Sequence, residues 1–448
     1  MIPSTALTWP RARCSSPPLI GNHTFTFCAV TTTGASTGAA AAHSISVPRH
    51  LILFIGALVA IGPLSLDAYL PAMPAMAEAF GVSIVRINDT ISIYLVGYGL
   101  GQFFGGAFSD QIGRKRIGII GLVIFVLTSL AIGFATTVEQ VQWLRFVQAI
   151  GGGFATVICM AIVRDVYPVH ELGRRMAMVM LVMLASPAVA PTLGSMLLRF
   201  GWHSIFFFKA TYSAALLVYY VVAVPETRPG EWRNLSVLST LRQCVQVVAR
   251  KSESGVRPVM FAITGAFGAA VFMTFLTNAS FAYIDYFGVS AQMFPLYFSI
   301  GVIGLVSTNL YSMRRLSVNS APLFFRSGLA LQLVAVTFLL VAVLAGAPSI
   351  WLVVVPVAVI VSCFGLVGPS GSSQYMGHFD RLAGSASSLY TTLLFSSGAI
   401  FGAVSGMFFD STLLPMAVTM FVASLLANAC AFGTGAKFRR LPATQLSS

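Results

Sequence analysis

Leu51–Ala77 reads LILFIGALVAIGPLSLDAYLPAMPAMA, a run long enough to cross a bilayer that carries a single charge, Asp67. An ionised carboxylate facing hydrocarbon costs several kcal/mol, so acids inside spans face a cavity, pair with a cation, or serve ion and proton pathways. From Leu51 to Asp67 the chain rises roughly 24 Å through an apolar core of roughly 30 Å, which places the acid deep but off-centre. Pro63, Pro71 and Pro74 each remove an amide donor and loosen this helix. Membrane helices tolerate that where they line a cavity or lie against protein.

The rest of the chain agrees with a span. Of 448 residues 57% are hydrophobic and 9% charged, far below the roughly 25% charged of soluble domains. Uncharged apolar runs of about twenty residues begin near Leu51, Ile87, Ile117, Val141, Met176, Ile205, Pro258, Phe294, Phe324, Ile350, Gly384 and Leu413. The expected fold is an all-α polytopic membrane protein of twelve transmembrane helices. The net charge of +13 does not imply nucleic acid, because the basic residues alternate with the spans. One set of connections holds Arg114, Lys115, Arg116, Arg164, Arg174, Arg175, Arg314, Arg315, Arg326 and Arg381; the opposite set holds only Arg86 and Arg199. The positive-inside rule then puts both termini in the cytoplasm.

Residues 1–48 contain no acid and no apolar run long enough for a signal-peptide core. Their composition fits an unstructured cytoplasmic tail, a transit peptide or a start codon placed too early, and does not choose among them. Residues 49–225 and 258–436 form two six-span halves, 226–257 a charged cytoplasmic linker with an amphipathic helix lying on the membrane, and 437–448 a second tail. The six cysteines show no metal-ligand spacing, and no metal or other cofactor is expected.

Between the second and third spans lies GGAFSDQIGRKRI. Asp110 ends one helix, Gly113 permits a tight turn, and Arg114, Lys115 and Arg116 anchor the next at the headgroups. Gly106-Ala-Phe-Ser-Asp110-Gln-Ile-Gly113-Arg114-Lys115 resembles motif A of the major facilitator superfamily, with Gln111 at one basic position. Trp143-Leu-Arg145-Phe-Val-Gln148-Ala-Ile-Gly151 resembles its motif B, and Ala190-Pro191-Thr-Leu-Gly194-Ser195, following Pro187, its antiporter motif C with two glycines replaced. Gly62–Ala72 and Ala161–Pro168, which includes Asp165, are similar to the Bcr/CflA subfamily of drug:proton antiporters.

The resemblance implies the two-half facilitator fold with a substrate site between the halves. It also implies a conformational latch of Gly106, Asp110, Gly113, Arg114, Lys115 and Asp165, partnered by the start of the eleventh span at Asp380–Ser385. Arg145 and Asp67 reach similar depths from opposite sides, so the guanidinium is expected to hold the acid ionised until substrate or helix movement separates them. Lys209, in FFFKATYS, is expected to snorkel to the interface. Tyr69, Gln148, Asn278, Tyr283, Asn309 and Gln374 are the expected polar contacts of the substrate cavity.

The resemblance implies a proton-coupled multidrug exporter of a bacterial cytoplasmic membrane that takes small amphiphiles of the bicyclomycin, sulfonamide or phenicol type; it is expected to act as a monomer. A metabolite transporter of the same fold is the alternative. No G-x-x-x-x-G-K-[ST] stretch supplies an ATP motor, and no buried nucleophile and base suggest an enzyme.

Overall fold

A computed structural model of the chain describes residues 50–167, 169–227, 237–250, 257–316, 320–346, 349–379 and 383–433. Both expected tails, and Asp380 and Arg381 of the expected latch partner, lie outside these residues. All regular structure described is helical, and twelve helices are long and apolar enough to cross a membrane. The first six are Leu51–Phe80, Ile84–Ile112, Arg114–Gly133, Val138–Val166, Val169–Leu198 and His203–Ala223. The second six are Val259–Tyr286, Phe294–Arg315, Ala321–Leu344, Trp351–Met376, Ala383–Met407 and Leu414–Gly433. Helices are the expected solution in lipid, where backbone N–H groups find no water and must bond within their own segment.

The first span is the irregular one. It runs as helix over Leu51–Val59 and Ile61–Asp67, tightens to a 3-10 turn at Leu70–Ala72 and resumes over Met73–Phe80. The prolines account for the break: Pro71 offers no N–H to the Asp67 carbonyl and Pro74 none to that of Leu70. The Ser280 hydroxyl of the seventh span donates to the Leu70 carbonyl, tying the halves together at the break. The α-helical ladder therefore ends just after the acid.

Close approach of helices holds the rest. Gly97 and Gly101 on the second span face the fourth, where an added Cβ would lie 2.5 Å from the Phe146 carbonyl oxygen and 2.6 Å from that of Ile150. The other face of the second span meets the eleventh, with Thr392 Oγ1 donating to the Gly99 carbonyl at 3.1 Å. A second seam joins the fifth span to the connection before the eighth through Ser195 Oγ, which donates to the Ala291 carbonyl at 2.7 Å. Small residues and hydroxyls are what lipid-embedded interfaces select, since apolar side chains gain little there by leaving lipid.

The linker contains the expected helix, Val237–Ala249, but it does not simply lie on a membrane surface. Val247 is buried with Ala262, Tyr375, Phe379, Ala386 and Tyr390 of the second half, and Ser385 Oγ donates to Gln243 Oε1 at 2.7 Å. Part of its apolar face has found protein, while Val245 and Val248 stay exposed.

Candidate functional site

The break in the first span brings three charged side chains together. Arg145 sits two turns inside the fourth span, whose start is set by Thr137 capping the amide of Gln140 at 3.3 Å. Lys209 sits at comparable depth in the sixth span, six residues after His203. Asp67, Arg145 and Lys209 are 4%, 0% and 1% exposed.

Both cations converge on one carbonyl. Arg145 Nη1 donates to the Ser65 carbonyl at 3.2 Å, to Ser65 Oγ at 3.1 Å and to Gln148 Oε1 at 2.8 Å. Lys209 Nζ donates to the same Ser65 carbonyl at 2.9 Å. Aromatic faces supply the remaining stabilisation: the guanidinium lies 4.3 Å from the ring centre of Tyr94 and 4.8 Å from that of Tyr69, and Lys209 Nζ 4.7 Å from that of Phe206. In a site this dry such contacts are worth about 2 kcal/mol each.

Two expectations change here. No hydrogen bond or salt bridge joins Arg145 to Asp67 among the described residues; the guanidinium clamps the Ser65 backbone instead. Lys209 does not snorkel: it is buried and its ammonium is bound to the Ser65 carbonyl, two residues before Asp67, with no salt bridge to Asp67 among the described residues. The reason is geometric, because the broken ladder near Ser65 offers a carbonyl to any donor that reaches it.

The expected substrate contacts do not form one set. Tyr69 and Gln148 belong to the cluster and are fully buried, so they do not line an open cavity. Tyr69 Oη lies 3.0 Å from Thr90 Oγ1, and Gln148 Nε2 donates to Ser129 Oγ at 2.7 Å, which fixes the amide that receives Arg145. Asn278 is buried and donates to the Thr274 carbonyl of its own helix at 2.8 Å. Tyr283 lines a small apolar cavity inside the second half with Phe275, Phe298 and Val357. Asn309 and Gln374 are half-buried, Gln374 donating to the Ala321 carbonyl at 3.3 Å. A cleft of about 320 Å³ between the fifth and eighth spans is lined by Thr192, Ser195, Arg199 and Ser299, none of them among the expected contacts.

The fifth-span motif acquires a location. Pro187 and Pro191 lie inside the helix, and Gly194 presses on the first span directly after the acid: an added Cβ would stand 2.0 Å from the Ala68 carbonyl oxygen. Ala190 is buried and Ser195 makes the bond to Ala291, so the two replaced glycines retain small volume where the spans touch.

At the opposite end of the bundle, Arg114 organises the turn. It is 4% exposed and bonds Asp110 at 2.7 Å, Asp165 at 3.2 Å and Ser109 Oγ at 2.7 Å. Gly106 faces the eleventh span, where an added Cβ would stand 2.8 Å from Ser388 Oγ, and one on Gly384 would stand 3.7 Å from Asp110 Oδ2. Glu226, assigned from the sequence to the linker, belongs to this turn. Its carboxylate accepts the amides of Arg114 at 2.9 Å and Lys115 at 3.1 Å, the first two of the third span. A carboxylate at a helix N-terminus satisfies orphan donors and opposes the dipole. Gly113, at φ +107°, is required twice over, since a Cβ would also stand 2.4 Å from Glu226 Oε2. Lys115 Nζ donates to the Val221 carbonyl at 2.8 Å, closing the turn on the sixth span. Glu226→Ala is expected to cost about 1–2 kcal/mol after allowance for partial exposure, read as a lower thermal-unfolding midpoint in detergent. Gly113→Ala is expected to cost at least as much, and unchanged midpoints in both variants would remove the cap.

Comparison with known proteins follows the same lines. The family model of the Major Facilitator Superfamily matches residues 24–403. The chain belongs to the major facilitator superfamily. It is 29% identical over 372 residues to a bicyclomycin resistance protein homolog of Haemophilus influenzae, covering 82% of this chain and 92% of that protein. It is 28% identical over 371 residues to a chloramphenicol resistance protein of Pseudomonas aeruginosa, covering 79% and 82%. These relatives support the drug:proton antiporter branch that the motifs resemble. Among solved structures, the human organic anion transporter MFSD10 matches with TM-score 0.65 and 17% identity, over 86% of this chain and 99% of that one. A D-xylose–proton symporter matches with TM-score 0.65 and 15% identity, over 89% and 99%. At such identity these two speak for the fold. The protein is thus a multi-pass bacterial membrane transporter of small molecules.

Proposed function

We propose that the protein exports small amphiphilic drugs in exchange for protons, with Asp67 as the proton carrier. The observation that carries this reading is the enclosure of Asp67 beside Lys209 at the first-span break, where Gly194 of the fifth span abuts the next residue. Protonation there removes the one enclosed negative charge and leaves Lys209 held only by the Ser65 carbonyl and the Phe206 ring. The first, fifth and sixth spans all meet at this point, so a local change of charge reaches the seam between the halves.

Arg145 positions the break through the Ser65 carbonyl, and the Gly113 turn latches the halves at the Asp110 end. Half-buried Asn309 and Gln374 remain the polar groups offered to substrate. In this reading the termini face the cytoplasm of a bacterial inner membrane and the monomer is the working unit.

The test is a proton-flux assay in proteoliposomes carrying a trapped pH indicator. Adding chloramphenicol or bicyclomycin to one side is expected to move protons the opposite way, at a rate that depends on the amount of transporter. Drug uptake with no accompanying proton movement would replace antiport with facilitated diffusion, and no drug movement at all would remove the drug class.

A further inference from the structure

The sign of the buried charge bears on which drugs can be carried. The charged side chains buried in the described residues are Asp67, Arg145, Lys209 and Arg114, and Arg114 is already matched by Asp110 and Asp165 at the turn. The second half buries no charged side chain among its described residues. Among fully buried groups inside the spans that leaves two cations against one acid; Asp89 of the second span is half-buried nearer its end, where it faces Gly406 of the eleventh.

The balance holds in every protonation state. With all three groups ionised the cluster carries +1; with Asp67 protonated it carries +2; were Lys209 to release its proton while Asp67 kept its charge, the sum would be zero. It never becomes negative. A transported lipophilic cation needs a carboxylate that can turn toward it, and here the acid is enclosed with Lys209, whose ammonium is held by the Ser65 carbonyl two residues earlier in the same span. Arg145 offers the reverse complement: Nε and Nη2 are buried with no hydrogen-bond partner, and an N–H without a partner is satisfied by an oxygen and by nothing on an ammonium or phosphonium guest.

Resting on the antiport reading above, we infer that the transporter discriminates by charge, accepting uncharged and anionic amphiphiles with oxygen acceptors and rejecting lipophilic cations, and that Lys209 is the residue that sets this selectivity. Lys209 does so as a positioning residue, by holding the electrostatic field of Asp67. It does not have to touch the drug.

The experiment is competition against chloramphenicol transport in proteoliposomes. Uncharged bicyclomycin, the carboxylate nalidixate and the cation tetraphenylphosphonium are added at matched concentrations under a clamped membrane potential. Tetraphenylphosphonium is expected to need at least tenfold more than the other two for equal inhibition of the wild type. Lys209→Gln is expected to narrow that gap several-fold, and Lys209→Arg, which keeps the charge, to preserve it. Equal competition by tetraphenylphosphonium in the wild type overturns the proposal while leaving antiport standing, and needs no variant to fold. An unchanged gap in a monodisperse Lys209→Gln removes the role of Lys209. Absence of chloramphenicol-driven proton movement in the wild type would be a failure of the antiport reading itself, seen before any competitor is added.

Discussion

Asp67→Asn is expected to bring drug-driven proton movement down to the level of empty liposomes, a loss on the order of a hundredfold or more, while downhill drug exchange continues. The amide matches the carboxylate in size, so a side chain that is 4% exposed keeps its contacts. What it loses is the ability to take and release a proton, and with it the step that makes one gradient drive the other. The substitution also removes the one acid enclosed with Lys209, whose ammonium stays bound to the Ser65 carbonyl. Purification behaviour and thermal stability are therefore measured alongside transport, so that a folding failure is not read as uncoupling. Asp67→Glu, which restores the titrating group on a longer stem, is expected to recover part of the coupling. Drug export driven by a pH gradient at the wild-type rate in Asp67→Asn would remove the acid from the mechanism.

The second large effect is structural. Gly194→Val is expected to prevent accumulation of the transporter in the membrane or to reduce transport to background. An added Cβ at this position would stand 2.0 Å from the Ala68 carbonyl oxygen and 2.8 Å from its carbon, and these are backbone atoms that no rotamer change can move. The first and fifth spans would have to separate at the point where Asp67 is held, and overpacking of this kind costs upward of about 1–3 kcal/mol even in cores that can adjust. Met196, two residues on and 58% exposed, is the control: Met196→Ala is expected to leave both yield and rate near wild type. A Gly194→Val protein that accumulates and transports normally would show that this contact is not made.

The spans were legible because hydrocarbon imposes a length and a composition that any apolar run displays. The Gly113 turn was legible for a similar reason: glycine, acid and bases stand side by side in the chain, and the contacts of Arg114 with Asp110 and Ser109 are local. The cluster at Asp67 was only half visible. Depth along each helix put Arg145 and Asp67 at one level, but depth says nothing about rotation, and Arg145 turned to the Ser65 backbone. The placement of Lys209 is not legible in the sequence, because a four-carbon stem permits either snorkelling or burial and only the neighbouring helix decides. Tyr69 and Gln148 looked like cavity residues because polar groups in a span invite that reading; both are consumed in holding Arg145. Glu226 gave a usable signal, being the first acid after the sixth span, yet its partner is more than a hundred residues earlier and nothing in the local pattern points there.

The connection between the halves is gripped at both ends, Glu226 by the third span of one half and the helix at Val237–Ala249 by the other. The two halves are therefore joined by a short leash. From Thr227 to Val237 the chain can reach at most about 35 Å when fully drawn out. That reach caps how far the two anchored ends can part at this end of the molecule, whatever the size of the cargo.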